Sequence, residues 1–317
     1  MDLLQSLPES RERLDQELAL QLVLGPPLYP TKGMGAPEVE RVYRRALELC
    51  EQIGETAQLF PALIGLQGVH CFRAEWSVAE ELAQVGLRLA DQADDRDLMI
   101  EAHHMLMYPQ GWQGKLLPCR ITGEQVEALY DLERHRSHAL TYGHDPAVCC
   151  MGFKALALWT MGYPEQALQT IYRVEALARE LHHPFSRFLY LLMATLVERM
   201  RGDDADSSES ASAMRALCDE QGFETFGAQA SIFIGSILAW KGKVSERIEE
   251  MEAGAAVLRV NKAEMGEPYR ITLLAEAYGK AGEIENALRL LEEALATTHK
   301  TGERLWEAET QRLKVNG

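Results

Sequence analysis

Five side chains able to bind a metal or move a proton fall within one short stretch: Asp131, His135, His138, His144 and Asp145. Histidines three apart on a helix can share a face, and a third His with a carboxylate would complete a zinc set. The stretch, DLERHRSHALTYGHD, also carries Arg134 and Arg136 and has the composition of a connector. It is therefore read as solvated, and no metal or other cofactor is expected. The neighbours His103-His104 point about 100° apart on a helix. His182-His183 suits a helix end, where the dipole favours imidazolium. Cys149-Cys150 cannot bridge comfortably inside a helix, and carboxylate pairs such as Glu249-Glu250 and Glu292-Glu293 suit solvated helix faces. The chain has no G-x-S-x-G, no H-E-x-x-H and no G-x-x-x-x-G-K-[ST]. Its Gly-Lys pairs at 114, 242 and 279 lack both the upstream glycine and the following Ser/Thr. No catalytic residue is assigned, and the chain is expected not to be an enzyme.

The elements that position these side chains follow from a repeat. AEAYGKAGEIENALRLLEEAL (275–295) is a helix, a tight turn at Gly282 and a second helix. Small residues at Ala275, Ala287 and Ala294 would let the two helices cross closely, with Tyr278 filling the gap. Steps of 40 residues back from Gly282 land on Gly242, Gly202 and Gly162. A step of 48 reaches Gly114, and two more of 40 reach Ala74 and Met34. The period is longer than the roughly 34 residues of a tetratricopeptide (TPR) repeat and overlaps the HEAT/armadillo range. The glycine and small-residue positions favour the TPR side. The prediction is an all-α, TPR-like solenoid, a right-handed superhelix of antiparallel helix pairs, with residues 1–317 as a single repeat domain. Turns fall near 34, 74, 114, 162, 202, 242 and 282, with a long connector at 131–145. Two segments are expected to disturb it. Pro109 and Pro118 should shorten or distort the third pair, since a mid-helix proline costs about 3 kcal/mol. DDADSSES (203–210) should delay a helix start.

A TPR-like array lines its concave groove with the first helix of each pair. The candidate groove residues, counted back from the turns, are Ile64, Phe72, His104, Tyr108, Trp112, Trp159, Met200, Trp240 and Tyr269. A stripe of this kind suits a protein or peptide segment, either an amphipathic helix or an extended apolar chain, with Trp and Tyr as anchors. The alternative use is packing between successive repeats, which is commoner for aromatics at helical spacing. For Trp112 and Trp240 the two uses are balanced.

Composition agrees with helices. The chain has 44 Leu and 38 Ala against 25 Val plus Ile. Its net charge of −16 argues against nucleic acid as a partner, because phosphate neutralisation needs a Lys/Arg surplus. No run approaches 18 uncharged apolar residues, so no membrane span is expected. No signal peptide is recognisable at the start. Six cysteines without a C-x-x-C pair fit buried apolar residues in a reducing, cytoplasmic compartment.

The run PTKGMGAPEVERVYRRALELCEQIGETAQLFPALIGL (30–66) resembles the C-terminal TPR region of large bacterial signalling proteins. Those proteins join a class III nucleotide-cyclase domain, an AAA/STAND-type ATPase and a TPR array. EAHH (101–104), YGHDP (142–146), HPFS (183–186), EQGF (220–223), LLAEAYGKAGEIE (273–285) and KTGERLWEAE (300–309) extend the resemblance along nearly the whole chain. It implies a non-catalytic interaction or scaffold module, a fragment or short relative of that architecture without its catalytic domains. An ATPase or cyclase domain would then be a possible partner. The alternative is a small-ligand-sensing helical domain that controls such a partner.

Overall fold

The computed structural model describes residues 10–54, 58–202, 204–239 and 244–316. No strand forms among them. The chain is an all-α, TPR-like solenoid. Helices α1 (Arg11–Lys32) and α2 (Pro37–Ile53) form the first antiparallel pair. The pairs α3 (Leu59–Phe72) with α4 (Trp76–Ala93), and α5 (Arg96–Trp112) with α6 (Leu116–Leu129), follow. The connector holds two short helices, α7 (Leu132–His135) and α8 (His138–Tyr142). Then come α9 (Pro146–Thr160) with α10 (Pro164–Leu181), and α11 (Pro184–Arg201) with α12 (Asp204–Gln221). The last are α13 (Glu224–Leu238) with α14 (Val244–Val260), α15 (Glu267–Lys280) with α16 (Ile284–Thr301), and α17 (Glu307–Asn316).

The turns sit at Ala74, Gly114, Gly162, Gly202 and Gly282, each with φ between 54° and 87°; the turn expected near 242 lies outside the described residues. Glycine tolerates this left-handed backbone, whereas Ala74 carries a Cβ there. The residues beyond a 34-residue repeat lengthen the second helices: α4, α10, α12 and α16 each have 18 residues. Starts are capped as the side chains dictate. Asp95 accepts the Asp97 N–H at 2.8 Å at the head of α5, and Asp145 accepts the Val148 N–H at 2.9 Å ahead of Pro146 in α9.

The third pair is shortened, its α6 having 14 residues against 18 in α4, but neither proline breaks a helix, and the late start expected of α12 is corrected. Helix α5 runs unbroken through Pro109. Proline has no N–H for the Met105 carbonyl, and the Gln67 side-chain amide supplies one instead at 2.9 Å. Pro118 is the third residue of α6, inside the first turn, where no helical N–H bond is lost. Helix α12 starts at Asp204 rather than late. Its Ser207 and Ser210 are buried, and Ser210 Oγ donates to Glu198 at 3.1 Å.

First helices are enclosed on nearly every side. Every residue of α9 from Pro146 to Leu158 is buried. The reason is the pitch of the superhelix, which brings distant pairs into contact. The Met265 N–H donates to the Phe72 carbonyl at 2.9 Å, and the Leu305 N–H to the Trp112 carbonyl at 3.2 Å. Each bond joins the end of a first helix to a loop between pairs, and each spans 193 residues (72 to 265, 112 to 305). With a 40-residue beat this makes about five pairs per superhelical turn. The next turn lies directly on the first. Across the axis, the Phe72 ring meets Phe226 edge-on at 5.8 Å. Glycines keep the contact close: a Cβ on Gly35 would lie 2.6 Å from the Lys262 carbonyl oxygen.

Candidate functional site

The sequence-derived groove residues lie inside this closed turn. Ile64, Phe72, His104, Tyr108, Trp112 and Tyr269 are buried, while Trp159 and Met200 are half-buried against the same core. Trp240 lies outside the described residues. Trp112 packs edge-on against Phe153 at 5.9 Å, and a Cβ on Gly266 would lie 3.1 Å from its ring. Tyr269 stacks on Trp306 at 3.9 Å and 11°. Ile64, Phe72, His104 and Tyr108 share a cavity with Cys71 and His144. Its free volume is about 10 Å³, room for about one water.

The connector is where the structure departs most from the sequence reading. Its histidines are not solvated: His135, His138, His144 and Asp145 are all buried. The cause is one face of α5. Asp97, Glu101, His104 and Tyr108 recur at helical spacing and point at the connector. His135 Nε2 lies 2.9 Å from Asp97 Oδ1, while His135 Nδ1 accepts the Asp131 N–H at 2.9 Å. That bond makes Nε2 the protonated nitrogen, donating to the carboxylate. His138 Nδ1 meets Glu101 Oε1 at 2.6 Å. The rings of Tyr130, His135, His138 and Tyr142 form a ladder with centroid spacings of 5.4, 5.1 and 5.3 Å. Asp145 accepts the Tyr130 hydroxyl at 2.7 Å, and its own N–H donates to Ser186 Oγ at 3.0 Å.

At the centre, His104 Nε2 and His144 Nε2 are 2.8 Å apart. Neither imidazole is more than 2% exposed, and Glu101 is fully buried. The two rings cannot both carry a proton at the shared contact. Burial alone would depress the pKa of His104, but the neighbouring Cys149 and Glu101 side chains outweigh burial and raise it to about 10. Burial, and then the His104 charge, push His144 well below the usual histidine range. His104 is thus the donor and His144 the acceptor. Burial would raise the Glu101 carboxyl, yet its contacts with His104 and His138 hold it below the usual carboxylate range. Three polar atoms here are buried without a hydrogen-bond partner, Glu101 Oε2, His104 Nδ1 and His144 Nδ1, and the first two face each other at 3.5 Å. The EAHH and YGHDP runs meet at this point, 40 residues apart in sequence.

A second depression lies on the outside, between α10 and α12 over the start of α11. It has about 670 Å³ of room, and its walls include Glu175, Arg179, His183, Arg187, Tyr190 and Glu209. Its His182 and His183 serve helix ends. His182 closes α10 with φ 52°, and His183 caps α11 by accepting the Ser186 N–H at 3.3 Å. All six cysteines are buried. Among the described residues no helix is long and apolar enough to cross a membrane.

No family model matches the chain. It is 24% identical over 320 residues to an uncharacterised protein of Rhizobium meliloti (strain 1021). The match covers 99% of this chain and 31% of that relative, so the chain spans about a third of its length. Among solved structures, it is similar to a signal transduction ATPase with numerous domains (STAND) with a tetratricopeptide repeat sensor from Pyrococcus horikoshii. The TM-score is 0.52 at 13% identity, over 88% of this chain and 43% of that one. A Rap protein complexed with competence and sporulation factor gives a TM-score of 0.48 at 13% identity, over 95% and 97% of the two chains. The likeness to the STAND sensor agrees with the TPR-like solenoid built above from helix pairs and turns.

Proposed function

We propose that the chain is one repeat domain acting as a non-catalytic interaction module, of the kind that serves cytoplasmic bacterial signalling proteins with cyclase and STAND-type ATPase domains. Its partner would be a protein or peptide segment, an ATPase or cyclase domain among the candidates, rather than nucleic acid or membrane. The observation that carries the reading is the stacked superhelical turn. The aromatic ends of α3 and α5 are held by loops 193 residues further on, so access to the inner face requires those contacts to part. A partner with higher affinity for the parted form would shift the array toward it. The STAND neighbour, a signal transduction ATPase with a tetratricopeptide repeat sensor, supports this reading by analogy of fold.

Pull-down from a bacterial lysate, followed by mass spectrometry, tests it with wild type and Trp112→Ala as baits. The expected result is an ATPase- or cyclase-bearing protein whose recovery differs several-fold between the two. Equal recovery by both baits, or nucleotide turnover by the chain alone, would contradict the proposal. A small-ligand sensor is the second reading. It is favoured by the outer depression between α10 and α12, whose volume lies in the range of small-molecule sites.

A further inference from the structure

Three buried side chains from three separate elements converge beside the His104–His144 contact. A nitrogen of His104 on α5, a nitrogen of His144 at the end of the connector and Cys149 Sγ on α9 all lie within 4.8 Å of one another. None of the three residues is more than 2% exposed. We propose that His104, His144 and Cys149 form a binding site for a zinc-type divalent cation that ties the connector and α9 to α5.

The donor chemistry selects the class of ion. Two imidazoles and a thiolate suit Zn²⁺, whereas Mg²⁺ and Ca²⁺ take oxygen ligands. Zinc bonds of about 2.0–2.1 Å to nitrogen and about 2.3 Å to sulfur put tetrahedral ligand atoms roughly 3.3–3.6 Å apart. The two Nε2 atoms, at 2.8 Å, would open by about half an ångström to admit the ion. Ligation through Nε2 also fixes the tautomer of His104 and turns its Nδ1–H on Glu101 Oε2. Two of the three atoms left without hydrogen-bond partners, His104 Nδ1 and Glu101 Oε2 at 3.5 Å, would then form a carboxylate–histidine–metal relay. Cys149 would bind as the thiolate, its proton released on ligation. The cavity against His104, His144 and Tyr108 has room for about one water, which supplies the fourth ligand. It leaves no room for a substrate, so the ion would be structural and not hydrolytic.

The test uses the full chain without a histidine tag, stripped with a chelator and then equilibrated with Zn²⁺ or Co²⁺. Wild type should retain a single zinc per chain after gel filtration. Its cobalt form should show a thiolate-to-cobalt charge-transfer band in the near ultraviolet. Cys149→Ser should lose that band, whereas Cys71→Ser, across the cavity, should keep it. His144→Gln should retain less than about a tenth of the wild-type zinc, and Glu101→Gln should bind about 10–100-fold more weakly. Circular dichroism checks that each variant is folded. If one is not, the cobalt spectrum of wild type decides alone. Retention of no zinc by wild type, a cobalt form without the thiolate band, or zinc retention equal to wild type by folded Cys149→Ser and His144→Gln would overturn the proposal.

Discussion

Gln67 shows how a single side chain can permit a residue that the helix would otherwise reject. Its amide occupies the Met105 carbonyl that Pro109 leaves without a donor, inside a region closed to water. Replacing it with leucine keeps the volume and removes the donor. Gln67→Leu should therefore destabilise the chain by about 1–3 kcal/mol, the cost of an unpaired buried carbonyl, read as a lower midpoint in urea unfolding. Glu303 behaves in the opposite sense. Burial pushes its carboxyl up to about 8, although Arg270 and the Gly266 N–H, 2.9 Å from Oε2, pull it down. The folded chain holds this proton more tightly than the unfolded one. Its contribution to stability is therefore complete below the ordinary carboxylate range and falls as pH rises, until the folded carboxyl ionises near 8. Glu303→Gln keeps an acceptor for Gly266 and stays neutral. It should match wild type at about pH 5 and exceed it by about 1–3 kcal/mol at about pH 8, measured by urea unfolding at both values.

At the scale of elements, the turns were readable from composition because a left-handed residue between two helices is nearly always glycine. Among the turns inside the pairs Ala74 is the exception, with φ 54°, while Asp94, His182 and Lys262 take the same conformation between pairs. Ala74→Gly should stabilise the chain by about 1 kcal/mol, relief of left-handed strain less a lost methyl, seen as a higher thermal midpoint. Close helix crossings carry the reverse prediction. A Cβ on Gly65 would fall 2.1 Å from the Tyr43 ring, so Gly65→Ala should cost about 1–3 kcal/mol by overpacking. The connector was misread for a physical reason. Its own residues look solvated, and the face that buries it, Asp97, Glu101 and His104, lies 37 to 40 residues earlier. That separation in sequence hides a pairing that helical periodicity within either segment cannot reveal.

For the molecule as a whole, the 40-residue beat made the solenoid legible, while its pitch was not. Pitch depends on small rotations between pairs that add up over about five repeats, and no local pattern records them. The aromatic residues that a wide groove would present to a partner are instead packed under the following turn. Stacking of Phe72 against Met265 and of Trp112 against Leu305 is the central structural claim, and the proposed interaction module depends on it. Amide hydrogen exchange of the full chain, followed by mass spectrometry, measures it directly. The amides of Met265 and Leu305 lie outside any helix and would exchange quickly if the turns stood apart. Stacked turns predict protection of the 262–266 and 303–306 segments approaching that of α9, and Trp112→Ala, which removes the ring packed on Gly266, should lower it in the first. Exchange in both segments as fast as in unstructured chain would contradict the account.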